Sequence, residues 1–235
     1  MSDERDAGHP AGHPGGHPSG PPPSGQPAGH PGTHDADEPH GVFERAYADG
    51  DVPWDIGRPQ PEIVELADAG IFGPRVLDVG CGTGETALFL ASRGHDVTGV
   101  DAVPAAIEAA KAKAAERGLD VCFRAADVLE VLPGLIGKFH SVTDVGFFHA
   151  LTDEQRIRFA EALAEKLAPG GVYAMLCFSD RVPGEFGPRR VSEDEIRSTF
   201  AGPKFVVREV CSAELHSARR SMPIVDANRA LIVRA

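Results

Sequence analysis

The stretch "VLDVGCGTGETA", residues 76–87, sets three glycines, Gly80, Gly82 and Gly84, between an apolar run and a segment of helical character. Val76, Leu77 and Val79 read as a buried strand, and Glu85 to Arg93 as the helix that follows it. Where the first strand of a doubly wound sheet meets its helix, glycine lets the backbone turn tightly and approach a ligand with no Cβ in the way. The stretch therefore predicts an α/β fold with a ligand site at the carboxyl end of that strand.

The same rhythm extends outward. Downstream come the strand "DVTGVD", a helix from Pro104 to Arg117 and the strand "DVCFRAAD". Strands spaced by helices of this length imply right-handed crossovers and a mostly parallel sheet. "FHSVTDVGFF" reads as a fourth strand, and Thr152 with Gln155 as a capping box opening a helix that buries Ala160, Leu163, Ala164 and Leu167. "APGG" stops that helix, "VYAMLCFS" suits a central buried strand, and Ser192 with Glu195 forms a second capping box. "KFVVREV" and "RALIVR" read as closing strands. Upstream, "VFERAYADG" is a short helix, and Pro61 opens another that Gly70 closes. The expectation is a doubly wound, mostly parallel seven-stranded sheet over residues 41–235.

With 235 residues, 42% hydrophobic and 25% charged, the composition is that of one globular domain of catalytic size. Residues 1–40 depart from it: their Gly-His-Pro repeats hold few apolar side chains, so they read as a disordered tail, with loose metal binding by the histidines as the alternative. A formal charge of -12 repels phosphate backbones and argues against a nucleic-acid partner. Cys81, Cys122, Cys177 and Cys211 form no CxxC pair and read as buried thiols of a reducing compartment, without a metal site. No apolar run approaches membrane-spanning length and the N-terminus lacks a secretory apolar core, so a cytoplasmic protein without membrane partners is expected.

The glycine loop alone is ambiguous, because Gly82, Gly84 and Ala87 also satisfy the spacing of a dinucleotide site. Its neighbours favour another reading. Asp78 stands two residues before G-x-G-x-G, Asp101 closes the second strand, and "AADV" places Asp127 and Val128 after the third. Together these resemble the class I S-adenosyl-L-methionine methyltransferases. The resemblance implies that Asp78, Gly80, Cys81 and Gly82 line the cofactor, that Asp101, with Ala102 beside it, meets the ribose hydroxyls, and that Asp127 and Val128 meet the adenine.

Methyl transfer from a sulfonium is an in-line displacement, so the protein must chiefly align the acceptor, exclude water and see a proton leave. The acceptor should lie beyond the carboxyl ends of the fourth and fifth strands. Asp144, Phe147, Phe148 and His149 stand at the end of the fourth. Asp144 is taken for the cofactor side and Phe148 for the acceptor side, since one phenylalanine of the pair faces the core and the other the pocket. His149 is the candidate general base or acceptor-orienting group; the alternative is a histidine bonded to backbone or packed on the next helix.

"PWDIGRPQPEI", residues 53–63, holds the only tryptophan of the chain. With "FFHAL" and "GEFGPRRVSEDEI" it resembles the heterocyclic toxin methyltransferases, relatives of the thiopurine and tellurite-resistance methyltransferases, from about Val52 to Glu195. That resemblance implies a small aromatic acceptor methylated on oxygen or nitrogen, Trp54 beside the methionine end of the cofactor, Arg58 helping to hold the cofactor's carboxylate or the lid, and Arg189 or Arg190 at the edge of the acceptor pocket. The chain departs from it in having "GPKF" where Gly-Trp often opens the sixth strand, and in a last strand without an aromatic residue. A methyltransferase of quinone precursors or thiols, and a module that binds the cofactor without catalysis, remain as alternatives.

Overall fold

Val76 and Leu77, adjacent in β1 (Arg75–Val79), fall on opposite faces of the sheet, as the two-residue period of a strand requires. The structure, a computed structural model, describes residues 41–184 and 187–235. The reading of residues 1–40 lies outside the described residues. The sheet follows the order β3-β2-β1-β4-β5-β7-β6, with β2 (Asp96–Asp101), β3 (Cys122–Ala125), β4 (Phe139–Val145), β5 (Leu167–Phe178), β6 (Phe205–His216) and β7 (Ile224–Arg234). Five strands run parallel, and β7 pairs antiparallel with both β5 and β6. This is the expected doubly wound architecture with an antiparallel closing hairpin.

Each face of the sheet has its own core. Val76 packs with Ile63 and Leu66 of α2 (Pro61–Asp68), Leu88 and Leu90 of α3 (Glu85–Ser92) and Ile107 of α4 (Pro104–Arg117). On the other face Leu77 joins Val142, Tyr173, Phe159 and Leu163 of α6 (Asp153–Lys166), and Ile196 of α7 (Glu193–Thr199). Both capping boxes form: the Thr152 hydroxyl accepts from the Gln155 amide and Ser192 from that of Glu195, which fixes where α6 and α7 begin. α1 (Gly41–Asp49) and the brief α5 (Val128–Val131) complete the helices among the described residues. None is long and apolar enough to cross a membrane.

Four sequence expectations change. α6 ends at Lys166, and Leu167 with "APGG" belongs to β5 instead of closing the helix. β4 ends at Val145, not at Phe148, because both Phe147 and Phe148 donate their amides to the Asp144 carboxylate instead of to a ladder, and a 3-10 turn follows over Phe148–Ala150. β6 and β7 are longer than their apolar cores suggested, running to His216 and from Ile224 in one hairpin. Of the four cysteines only Cys177 is buried; Cys122, at the start of the edge strand β3, is exposed, and all four thiols are free.

Candidate active site

Sheet order reverses between β1 and β4, and the glycine loop lies at that point. Gly80 and Gly82 hold left-handed φ angles of 62° and 54°. A Cβ at Gly80 would lie 3.0 Å from the Phe147 Cβ, and one at Gly82 would lie 2.9 Å from the Tyr47 hydroxyl, so both conformation and space demand glycine. The Gly82 N–H donates to Asp101 Oδ2 (2.8 Å) and the Val103 N–H to Oδ1 (2.9 Å), which fixes the carboxylate where β2 gives way to Ala102. A carboxylate held at this place is the kind of acceptor that the hydroxyls of a ribose diol need. At the end of β3, Asp127 caps α5 by accepting from the Leu129 N–H (2.8 Å), and Val128 begins that helix, buried.

Beneath the loop lie two buried carboxylates. Asp78 Oδ1 accepts from the Thr143 hydroxyl (2.9 Å), while Oδ2 is buried and completes no hydrogen bond, with the Ala87 amide near the carboxyl. Burial pushes the Asp78 carboxyl up to about 7, against the pull of Thr143 and with the help of the Asp144 charge. Asp144 is pushed up to about 7 by burial as well, although it accepts from the Tyr173 hydroxyl (2.6 Å) and from the amides of Phe147 (2.7 Å) and Phe148 (3.0 Å). Asp144 thus serves the turn that leaves β4 and anchors it from below. Cys81 is half-buried in the loop, its amide bonded to the Val100 carbonyl and its thiol pushed up by burial.

The N-terminal segment covers this loop. Tyr47, on α1, reaches Gly82, and its hydroxyl accepts from the Trp54 indole N–H (3.1 Å). Burial holds the Tyr47 phenol above its ordinary range against that bond, with Asp101 and Asp55 adding to the effect. Trp54 stands edge-on to Phe43 and Tyr47 and remains 41% exposed. Asp55 Oδ2 accepts from the Thr83 hydroxyl (2.6 Å), and Oδ1 from the Gly57 N–H (2.9 Å). Burial alone would raise Asp55, but Thr83, the Gly57 amide and Lys113 outweigh it and hold the carboxyl below its ordinary value. Arg58 turns away from the loop toward His216 Nδ1 (3.4 Å). The Gln60 side chain brackets the His216 backbone, donating to its carbonyl (3.0 Å) and accepting from its amide (2.9 Å).

At the acceptor end the two phenylalanines exchange the roles expected of them. Phe148 is fully buried, against Phe200 and under the Arg156 guanidinium, because the Asp144 bonds rotate the turn inward there. Phe147 is the one that faces the glycine loop. His149 Nδ1 accepts from the Phe178 N–H (3.0 Å), so the ring carries its proton on Nε2, which lies 3.1 Å from where a Cβ of Gly146 would stand. Arg189 and Arg190 are each held by other protein groups. Arg189 pairs with Asp153 and Glu195 at the starts of α6 and α7, and Arg190 donates to the carbonyls of Val182, Pro183, Gly184 and Pro188 within its own loop.

The structure thus brings Gly80, Gly82, Asp101, Trp54 and Phe147 to one region and adds Tyr47, Asp55 and Thr83, which sequence reasoning passed over. Asp55 sat inside the quoted stretch, and only its short-range Asx geometry with Gly57 was legible there. Glycines that clear space, a carboxylate held at the end of β2 and a buried carboxylate oxygen that completes no hydrogen bond fit a ligand with a ribose diol and a cationic amino group, as S-adenosyl-L-methionine has.

Comparison with known proteins agrees. A family model described as a methyltransferase domain matches residues 76–171. The 2-heptyl-1-hydroxyquinolin-4(1H)-one methyltransferase of Mycobacteroides abscessus is 40% identical over 168 residues, covering 70% of this chain and 73% of that protein. A structure solved in work on the conversion of a disulfide bond into a thioacetal group during echinomycin biosynthesis superimposes with a TM-score of 0.74 at 32% identity, over 84% of this chain and 91% of the other. The N-methyltransferase NodS of Bradyrhizobium japonicum, solved with S-adenosyl-L-homocysteine, shares the fold with a TM-score of 0.67 at 20% identity, over 84% and 99% of the two chains. The chain belongs to the class I methyltransferases, enzymes that use S-adenosyl-L-methionine as cofactor.

Proposed function

We propose that this enzyme methylates an oxygen or nitrogen of a small hydroxyquinolone-like heterocycle. The observation that carries the reading is the 168-residue match, at 40% identity, to the hydroxyquinolone methyltransferase. The site is compatible with it: Phe147 supplies an aromatic wall above the glycine loop, and Trp54 and Tyr47 cover the loop from the other side.

Bound S-adenosyl-L-methionine supplies an electrophilic methyl group on a sulfonium. The protein's own contribution is placement. Asp101 and the glycine loop hold the ribose and methionine portions, and Trp54, Tyr47 and Phe43 exclude water, which strengthens the fixed dipoles inside. His149 orients the acceptor by donating from Nε2. It does not act as the base, because its Nδ1 is already occupied by the Phe178 N–H and a second ring proton has no place there. The reacting hydroxyl must then shed its proton without the imidazole, which suits the acidic hydroxyl of an N-hydroxy or 4-hydroxy heterocycle.

A sulfur acceptor is the second reading, favoured by the 32% identity across 91% of the chain from the thioacetal work. The test is to incubate the enzyme with S-adenosyl-L-methionine and a 1-hydroxy-4-quinolone, and to locate the new methyl group by mass spectrometry and NMR. A methyl on the ring oxygen or nitrogen supports the reading. An unmodified quinolone beside a methylated thiol would replace it with the second.

A further inference from the structure

We propose that the cleft between the N-terminal segment and the tip of the β6–β7 hairpin is a subsite for an alkyl substituent on the acceptor heterocycle. The proposal rests on the acceptor class given above. It begins with the register of the hairpin. Phe178, the last residue of β5, pairs with Ala227, whereas Asp226, Val225 and Ile224 continue past it, opposite Glu214, Leu215 and His216 of β6. The hairpin therefore overhangs the carboxyl edge of the sheet, the edge at which ligands of doubly wound folds bind.

The N-terminal segment meets that overhang. The Ala218 N–H donates to the Pro53 carbonyl (2.8 Å), Gln60 brackets His216, and Arg219 lies 3.6 Å from Asp51. Between them remains a cavity of about 410 Å³, a size within the ordinary range for small-molecule sites. Ile56, Ala218, Pro223 and Ile224 give it apolar walls, and Arg58 paired to His216 forms one polar border. Asp55 lines the cavity, and its carboxylate accepts from Thr83 of the glycine loop, so the cleft borders the cofactor region across this one residue. Ile224 is 47% exposed although it opens a strand whose next residue is buried, which leaves apolar surface for a ligand to cover. An unbranched alkyl chain needs such walls and no hydrogen bonds.

The test uses the full chain and 4-hydroxyquinolines that carry hydrogen, propyl or heptyl at one ring position. Binding to enzyme saturated with S-adenosyl-L-homocysteine is measured by calorimetry, and methyl transfer is followed in parallel. We expect affinity to rise by about two- to fourfold for each methylene that enters the cleft. In Ile224→Ser and Ile56→Ser the heptyl-to-hydrogen affinity ratio should fall at least about fivefold. Taking the ratio within each variant cancels any general loss. Methylation of all three compounds with no dependence of binding on chain length, or a ratio unchanged in both variants, overturns the subsite alone. Methylation of none overturns the acceptor class, and the subsite with it.

Discussion

Asp55 and Thr83, 28 residues apart, are joined by a 2.6 Å hydrogen bond from the Thr83 hydroxyl to the Asp55 carboxylate. One partner lies in the segment that covers the site and the other in the glycine loop, so this bond ties the cover to the floor. Lys113 reinforces it, donating to Thr83 (2.7 Å) and lying 3.7 Å from Asp55. The same lysine reaches Glu85 (2.7 Å), which Arg117 holds through both of its terminal nitrogens.

Breaking that tie should loosen the cofactor. A hydrogen bond to a charged group is worth about 1.5 to 3 kcal/mol, so Asp55→Ala should weaken S-adenosyl-L-homocysteine binding by roughly tenfold to a hundredfold. Asp55→Asn, which keeps an acceptor oxygen, should lose less. Calorimetry reads both, and an Asp55→Ala dissociation constant within twofold of wild type would contradict the role.

Asp78 makes stability and cofactor binding respond oppositely to pH. Its folded-state pKa of about 7 lies above the ordinary 3.8, so the folded chain holds the extra proton between those values. The stabilisation is fully present below about 3.8 and is lost as pH rises through about 7. Asp78→Asn, which carries no such proton, should therefore gain on wild type in urea unfolding between pH 5 and pH 8. A bound cationic amine favours the ionised carboxylate, so wild-type cofactor affinity should fall below pH 7 by up to about tenfold per unit while the Asn variant stays flat. Parallel curves for the two proteins would exclude Asp78 as the titrating group.

Trp54 reports on the cover directly. Its indole N–H is bonded to Tyr47, and Tyr47 lies against Gly82. Saturation with S-adenosyl-L-homocysteine should shift the tryptophan emission, and Tyr47→Phe should change the emission of the free protein by removing the acceptor of that bond. Emission indifferent to ligand in wild type would separate Trp54 from the site.

His149→Ala should lower kcat by about tenfold to a hundredfold through misplacement of the acceptor. The pH dependence of kcat/KM should keep the inflections of wild type, because the imidazole holds a position and does not collect the acceptor's proton. An inflection in the histidine range that disappears with the substitution would restore the general-base role.

Much of this was legible locally. The capping boxes at Thr152 and Ser192, proline at the head of α2 and α4, and the glycines of the first turn are decided by neighbours within four residues, and they set the element boundaries. Asp101 was legible because a strand end and a glycine loop identify each other across one βαβ unit. Contacts that span the chain were not: Tyr47 against Gly82, Asp55 on Thr83 and Gln60 around His216 depend on where the first helix and the last hairpin arrive. The choice between Phe147 and Phe148 was likewise invisible, since strand alternation offers either, and the amides bound by Asp144 make the decision. The arginines of "GPRR" read as ligand-facing by resemblance alone, while the acids that engage Arg189 come from Asp153 and Glu195, the first turns of two other helices.

The central claim is the class of acceptor, and competition tests it most directly. Wild-type enzyme and S-adenosyl-L-methionine are offered an equimolar mixture of a 1-hydroxy-4-quinolone, a quinol and an aryl thiol, and the methylated products are quantified at early times. We expect the quinolone ether or N-methyl product to exceed the others by at least about tenfold in kcat/KM, a difference in transition-state binding of about 1.4 kcal/mol. A thiol or quinol product in that excess would contradict the account while leaving the fold and the cofactor in place.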